Sequence, residues 1–191
     1  MLRRGGRVLD RAPGGVDEAG LLVAVQRRID HPTVVRAARA MSLFGEHAAG
    51  WLALGAAGAA LDPARRRTWA TAAVGVAGAH GASIAVKRVV RRRRPHDPRI
   101  AVHVGTPSRL SFPSSHATST TAAVVLYAGL LRRSGAEGPL TAVIPAMALS
   151  RLVLGVHYPT DVLAGTALGA ACALATRRVI ERGRLGRWRT R

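Results

Sequence analysis

Three short stretches carry the residues whose types and spacing could do chemistry. Ser150 to Asp161 sets a guanidinium (Arg151), an imidazole (His157) and a carboxylate (Asp161) in an otherwise apolar run. Charges are costly in such surroundings unless paired, so ionisable groups there point to function. Arg151 can hold an anion, His157 can act as base or nucleophile, and Asp161 can orient and charge-stabilise that imidazole. The bland alternative is a buried Arg151–Asp161 ion pair with His157 as packing. The second stretch is Lys87 to Pro95, where Lys87 and Arg94 bracket a run of arginines. Arg88 and Arg91 to Arg93 read as a solvated stop-transfer cluster, which leaves Lys87 and Arg94 for the site. The third is Pro113-Ser114-Ser115-His116, where Pro then Ser-Ser reads as a helix start. Free backbone N–H groups at a helix N-terminus, with two hydroxyls, suit an anion, and His116 would sit beside it.

Together these residues supply charge for phosphoryl oxygens, a nucleophile, and an acid for a leaving oxygen, which are the needs of phosphoryl transfer. Two histidines and one carboxylate at these spacings make a poor zinc or magnesium site, so no metal and no cofactor is expected.

Elements must bring the three stretches together. Uncharged apolar runs cover Ala48–Leu61, Thr68–Val86, Ala117–Leu131, Leu140–Leu149 and Val162–Thr176, separated by arginine-rich blocks. A span needs about 20 apolar residues, so several of these are short unless flanking Ser, Thr and His enter the bilayer. The expected fold is all-α: an integral membrane helical bundle of about five transmembrane helices. An N-terminal amphipathic segment over 16–45 is expected to lie at the membrane interface, with Leu21, Leu22, Val25 and Ile29 as the apolar face of its first helix. Residues 1–15 read as a disordered basic N-terminus with no cleavable signal peptide, and 179–191 as a basic C-terminal tail, flanking one domain over 16–178. Alternation puts 87–116 and 156–160 on one side. The loops at 62–67 and 132–138 fall on the other, which the positive-inside rule makes cytoplasmic. The site then faces outward.

Composition agrees. Hydrophobic residues make up 48% of the 191, mostly small and aliphatic, which suits close helix packing in a membrane. The net charge of +19 calls for an anionic surface or substrate. Nucleic acid is disfavoured because the basic clusters are not interleaved with stacking aromatics. Of 29 basic residues only Lys87 is lysine, which singles it out as a compact charge where an arginine fork would not fit. Cys172 is the only cysteine, so no intrachain disulfide is possible.

The three stretches resemble the type 2 phosphatidic acid phosphatase (PAP2) superfamily, whose pattern is K-x6-R-P, then P-S-G-H, then S-R-x5-H-x3-D. Lys87 to Pro95, Pro113 to His116 and Ser150 to Asp161 meet that order and spacing, with Ser115 where the pattern has Gly. The resemblance implies that His157 is the nucleophile that forms a phosphohistidine. Asp161 would orient it, and His116 would be the general acid. Lys87, Arg94, Ser114, Ser115 and Arg151 would bind the phosphate. It further implies a metal-independent phosphatase acting on a phosphorylated lipid in the membrane, most similar to actinobacterial members that dephosphorylate decaprenylphosphoryl-5-phosphoribose in cell-wall arabinan synthesis. Polyprenyl diphosphate, phosphatidylglycerophosphate and phosphatidate are alternative substrates; a phosphotransferase and a non-catalytic basic membrane scaffold are alternative functions. The sequence leaves oligomeric state open. Headgroup contacts are sought in residues 96–112, at His96, Asp97, Arg99, His103 and Arg109.

Overall fold

The computed structural model describes residues 17–29, 31–131, 135 and 137–186. The segment 1–15, the end of the C-terminal tail and most of the turn after residue 131 lie outside them. Helices dominate: α1 (Glu18–Arg28), α2 (Pro32–Gly45), α3 (Ala49–Leu61), α4 (Arg66–Val90), α5 (Ser115–Leu131), α6 (Glu137–Thr141), α7 (Val143–Val153) and α8 (Pro159–Gly186). One isolated bridge, Arg93 with Leu110, is the only β pairing among the described residues.

The apolar runs become α3, α4, α5, α6–α7 and α8. Two of these helices are long and apolar enough to cross a membrane, Pro63–Val90 and Pro159–Arg182. Most of each lies outside the protein core, and Val74, Val89, Leu163, Leu174 and Val179 are exposed. Apolar side chains facing outward along such helices are what a lipid environment accommodates. α8 continues through Gly186, past Arg178, so the first part of the expected tail is helix.

The core sits where α3, α4, α5 and α8 meet, around Trp51, Trp69 and Tyr127. Each aromatic that carries a polar tip is satisfied inside: Trp51 Nε1 donates to Thr120 Oγ1 at 3.0 Å, and the Tyr127 hydroxyl donates to the Trp51 carbonyl at 3.0 Å. α8 packs on α5 through Gly165 and Gly169, where a Cβ would run into the carbonyls of Ser114 and Thr118. This small-xxx-small spacing lets two backbones approach closely.

The ends of the bundle differ. At one, Arg65 pairs with Asp62 and donates to the Leu130 carbonyl at 2.8 Å, joining the basic 62–67 turn to the end of α5. At the other lie the end of α4, the long connection 91–114, the start of α5 and the α7–α8 turn. The 91–114 connection and the α7–α8 turn thus meet at one end of the bundle.

α1 corrects an expectation. Its buried face is Glu18, Ala19, Leu22 and Val23, while Leu21 is exposed. These residues pack against Ile100 and Tyr158 rather than standing free for lipid. Gln26 then staples the long connection to the end of α7. Its Nε2 donates to the carbonyls of Ala101 and Val153 at 2.7 and 3.0 Å, and its Oε1 accepts from Ala101 N–H at 3.1 Å.

The α7–α8 turn depends on Gly155, whose φ is +69°. A side chain there is strained by the left-handed backbone, and its Cβ would collide with the Ala101 carbonyl. Gly155→Ala is expected to cost about 2–4 kcal/mol, read as a lowered thermal midpoint. Activity should fall further than stability alone explains, because His157 is two residues away.

Candidate active site

Each cluster is set by its local backbone. α4 runs to Val90, placing Lys87 in its last turn, and closes with Arg91 in the left-handed region. The helix thus stops before Pro95, and the chain between continues extended. The Arg92 carbonyl accepts from Ser111 N–H at 2.8 Å, and Arg94 N–H donates to the Arg109 carbonyl at 3.2 Å. Extended backbone alternates its side chains. Arg91 and Arg93 consequently point outward, while Arg92 and Arg94 turn inward.

That alternation overturns the reading of Arg92 as a solvated charge. Its Nη2 donates to Glu18 Oε2 at 2.6 Å and its Nη1 to Asp161 Oδ1 at 3.1 Å. Its guanidinium also lies 4.1 Å from the centre of the Tyr158 ring. Asp161 is thus paired with Arg92, and the alternative of a buried Arg151–Asp161 ion pair is not what forms.

α8 starts with Pro159 at its first position, and Asp161 reaches back so that Oδ2 accepts the Tyr158 N–H at 2.8 Å. This is a capping-box contact with a carboxylate in the first turn. The same Oδ2 lies 3.5 Å from His157 Nδ1, close but beyond hydrogen-bond distance. The other ring nitrogen, Nε2, faces Arg94 Nη1 at 3.2 Å. His157 is 2% exposed.

Arg94 is held by carbonyls: Nε donates to Ser108 at 2.8 Å and Nη1 to Val156 at 2.7 Å. Lys87 fills a tripod of carbonyls, Pro113 at 2.7 Å, Ser111 at 3.1 Å and Leu110 at 3.4 Å. An ammonium has three donors in that arrangement and a planar fork does not, which accounts for lysine here. Arg151 is 2% exposed, and its Nε and Nη1 are buried without a hydrogen-bond partner.

These groups surround a cavity of about 280 Å³, lined among others by Lys87, Arg94, Ser115, His116, Arg151 and His157. Ser114 does not line it. Its hydroxyl caps α5, accepting the Ala117 N–H at 3.4 Å, and its N–H donates to the Asp161 carbonyl at 2.8 Å, tying α5 to α8. Ser115 opens α5, with its Oγ 2.8 Å from Ser83 Oγ. His116 Nε2 lies 2.9 Å from the Ser42 carbonyl and 3.9 Å from Glu46 Oε2.

Burial is the main cause that drives His157 well below the ordinary imidazole value of 6.5, followed by Arg94, Arg151 and Lys87; the Ser111 carbonyl acts in the opposite sense. Burial likewise pulls Arg94 down to about 10, against Asp161 and Glu46, and leaves it charged at neutral pH. The lone pair of a neutral His157 Nε2 accepts from Arg94 Nη1 at 3.2 Å, and it becomes available to an electrophile when that guanidinium turns to the negative charge the electrophile brings.

Below pH 6.5 the unfolded chain takes up a proton at this position that the folded chain refuses. The contribution is therefore complete above pH 6.5 and lost as pH falls toward the folded value. Stability should drop with a slope of up to about 1.4 kcal/mol per pH unit from this group. Thermal melts of wild type and His157→Gln between pH 7 and 5 check it: the mutant curve should be flatter by that slope.

Comparison with known proteins identifies the family. The profile of the PAP2 superfamily matches residues 68–184. The chain belongs to the PAP2 superfamily. Among its PAP2 relatives, the decaprenylphosphoryl-5-phosphoribose phosphatase of Mycolicibacterium smegmatis is 59% identical over 155 residues, 81% of this chain and 83% of that protein. The protein of the same name from Mycobacterium tuberculosis is 52% identical over 162 residues, 84% of this chain and 88% of the other. The crystal structure of a transmembrane PAP2 type phosphatidylglycerolphosphate phosphatase from Bacillus subtilis shares the fold. Its TM-score is 0.72 at 21% identity, covering 86% of this chain and 85% of that one.

Around this cavity, sequence reasoning missed several lining residues. Glu46 and His47 line the cavity mouth because His47 and Ala48 are left-handed and kink the chain between α2 and α3. No local pattern signals that kink. Of the long connection, Gly105, Thr106, Pro107, Ser108 and Leu110 reach the cavity; His96, Asp97, Arg99, His103 and Arg109 do not line it. Asp97 instead pairs with Arg99 at 2.7 Å, which lowers its carboxyl to about 2.

Proposed function

We propose that this protein is an integral membrane lipid phosphatase that removes the 5-phosphate of decaprenylphosphoryl-5-phosphoribose through a phosphohistidine intermediate. The observation that carries the chemistry is Arg151: a buried guanidinium with unpartnered N–H groups on the wall of the cavity that also holds His157 Nε2. A buried unpaired cation is costly, and a phosphate dianion between Arg151, Arg94 and Lys87 removes that cost. The substrate assignment is supported by relatives of that name that match most of both chains.

In this reading His157 Nε2 attacks phosphorus in line, and the ester bond to the ribose oxygen breaks. Asp161 stabilises the imidazolium through Nδ1, where the gained charge draws the 3.5 Å contact shorter. His116 gives its proton to the leaving alkoxide, then takes one from the water that hydrolyses the phosphohistidine. Arg94, Arg151 and the Ser115 hydroxyl, with first-turn N–H groups of α5, hold the phosphoryl oxygens, and Lys87, whose three donors meet carbonyls, adds positive charge beside them. Ser114 serves as the cap that aims them.

Residues 16–178 form the phosphatase domain. α3, α4, α5, α6–α7 and α8 are the five spans, α1 and α2 lie at the interface, and the site faces the extracytoplasmic side, opposite the basic 62–67 turn. The test is phosphate release by purified protein in detergent. Decaprenylphosphoryl-5-phosphoribose should be turned over at least about tenfold more efficiently than decaprenyl diphosphate, phosphatidylglycerophosphate or phosphatidate, a selectivity typical of a built headgroup site. Equal rates on all four would remove the substrate assignment; no release from any would remove the phosphatase.

A further inference from the structure

Glu18 is remote in sequence from every residue the phosphatase reading uses, yet it is 1% exposed and lies behind Asp161. A carboxylate that buried persists only if fully partnered. Its Oε1 accepts from both the N–H and the hydroxyl of Thr160, at 3.0 and 2.6 Å, and its Oε2 accepts from Arg92 at 2.6 Å. Arg92 in turn donates to Thr160 Oγ1 at 2.7 Å and Asp161 Oδ1 at 3.1 Å. Glu18, Thr160 and Arg92 close a ring of hydrogen bonds, and Asp161 is tied to it through Arg92.

The ring has a consequence at the nucleophile. Asp161 Oδ1 is taken by Arg92 and Oδ2 by the Tyr158 N–H, so the carboxylate plane is set and Oδ2 faces His157 Nδ1. Arg92 is 25% exposed and lies near a cavity built for a phosphate. Without a second counter-charge it would be drawn toward that dianion, taking Asp161 Oδ1 with it or releasing it. Glu18 supplies the counter-charge. Arg94 and Arg151 differ: neither makes an ion pair with a carboxylate among the described residues, which leaves their charge for the substrate.

We propose that Glu18 is a positioning residue for phosphoryl transfer, holding Asp161 through Arg92 and so holding the ring of His157. The proposal rests on the reading of His157 as nucleophile. A purely structural clamp, tying α1 to α8, would produce the same contacts but a different response to substitution.

The experiment measures kcat, KM and inhibition by inorganic phosphate with decaprenylphosphoryl-5-phosphoribose as substrate, alongside thermal midpoints. Glu18→Gln keeps the shape and removes the charge. It should lower kcat roughly 10- to 100-fold while KM and the phosphate inhibition constant stay within about twofold. Glu18→Asp, which restores the charge on a shorter arm, should have a kcat only several-fold below wild type, well above that of Glu18→Gln. Leu22→Ala loosens the packing of α1 on Tyr158 without touching the ring. It should lower the thermal midpoint and leave kcat per folded molecule unchanged. If Glu18→Gln does not fold, the Glu18→Asp and Leu22→Ala pair still decides: the shortened carboxylate should lower kcat several-fold and the packing variant should not. The proposal is overturned if the Glu18 variants keep wild-type kcat, if only KM changes, or if Leu22→Ala loses as much kcat. An active His157→Ala would instead overturn the nucleophile reading; an inactive one beside a fully active Glu18→Gln overturns this inference alone.

Discussion

His157→Ala is expected to lower turnover by roughly four orders of magnitude or more, the scale seen when a nucleophile acting with partners is removed. The fold should persist at a cost of about 2–4 kcal/mol, since a buried ring is truncated and Arg94 loses its contact with Nε2. The specific readout is the phosphoenzyme. Acid-quenching destroys a phosphohistidine and alkaline quenching preserves it, so labelled lipid mixed with wild type should leave alkali-stable label on the protein. His157→Ala should leave none. His116→Ala gives the complementary result: with a good leaving group, label should form and then persist, because the water that clears it has lost its base. Label on His157→Ala would transfer the nucleophile role to another residue.

The second large effect is a trade between activity and stability at Arg151. Arg151→Met replaces a buried, unpartnered guanidinium with an apolar chain of similar length. Turnover should fall about 10²- to 10³-fold, the cost of removing one oxyanion-stabilising group. The ligand-free protein should become more stable, by about 1–4 kcal/mol, because a charge with no partner no longer has to be buried. Inorganic phosphate should stabilise wild type and lose that effect in the mutant. Arg92→Met is the contrast: it strands Glu18 and Asp161 and should destabilise by about 3–5 kcal/mol. Two arginine substitutions with opposite signs in a melt would be difficult to explain by any role other than substrate binding for one and structure for the other. A lower midpoint for Arg151→Met is the result that contradicts this assignment.

Much of this site was legible from spacing. The distances Lys87 to Arg94, Ser114 to His116 and Arg151 to Asp161 along the chain are short, and local backbone rules translate them directly. Pro159 at the start of α8 puts Asp161 in its first turn, and Gly155 permits the left-handed turn that presents His157. The alternation of apolar runs and arginine blocks likewise determined that the three stretches meet at one end of a helical bundle, because successive helices reverse direction.

What the sequence could not decide is which charges pair. Arg92 and Arg93 are chemically identical neighbours. Only the extended backbone after Val90, and its bridge to Leu110, turns one inward and the other out. The partners that define the site come from distant segments: Glu18 with Thr160, Ser42 with His116, Lys87 with Pro113. Their proximity is set by how α1, α2 and α8 pack, which depends on glycines and apolar faces summed over whole helices. The sequence by itself determined the inventory of groups and the chemistry they permit. The tertiary structure decided that Arg151, and not Arg92, remains unmatched in the cavity, because burial and pairing are properties of contacts that no single segment contains.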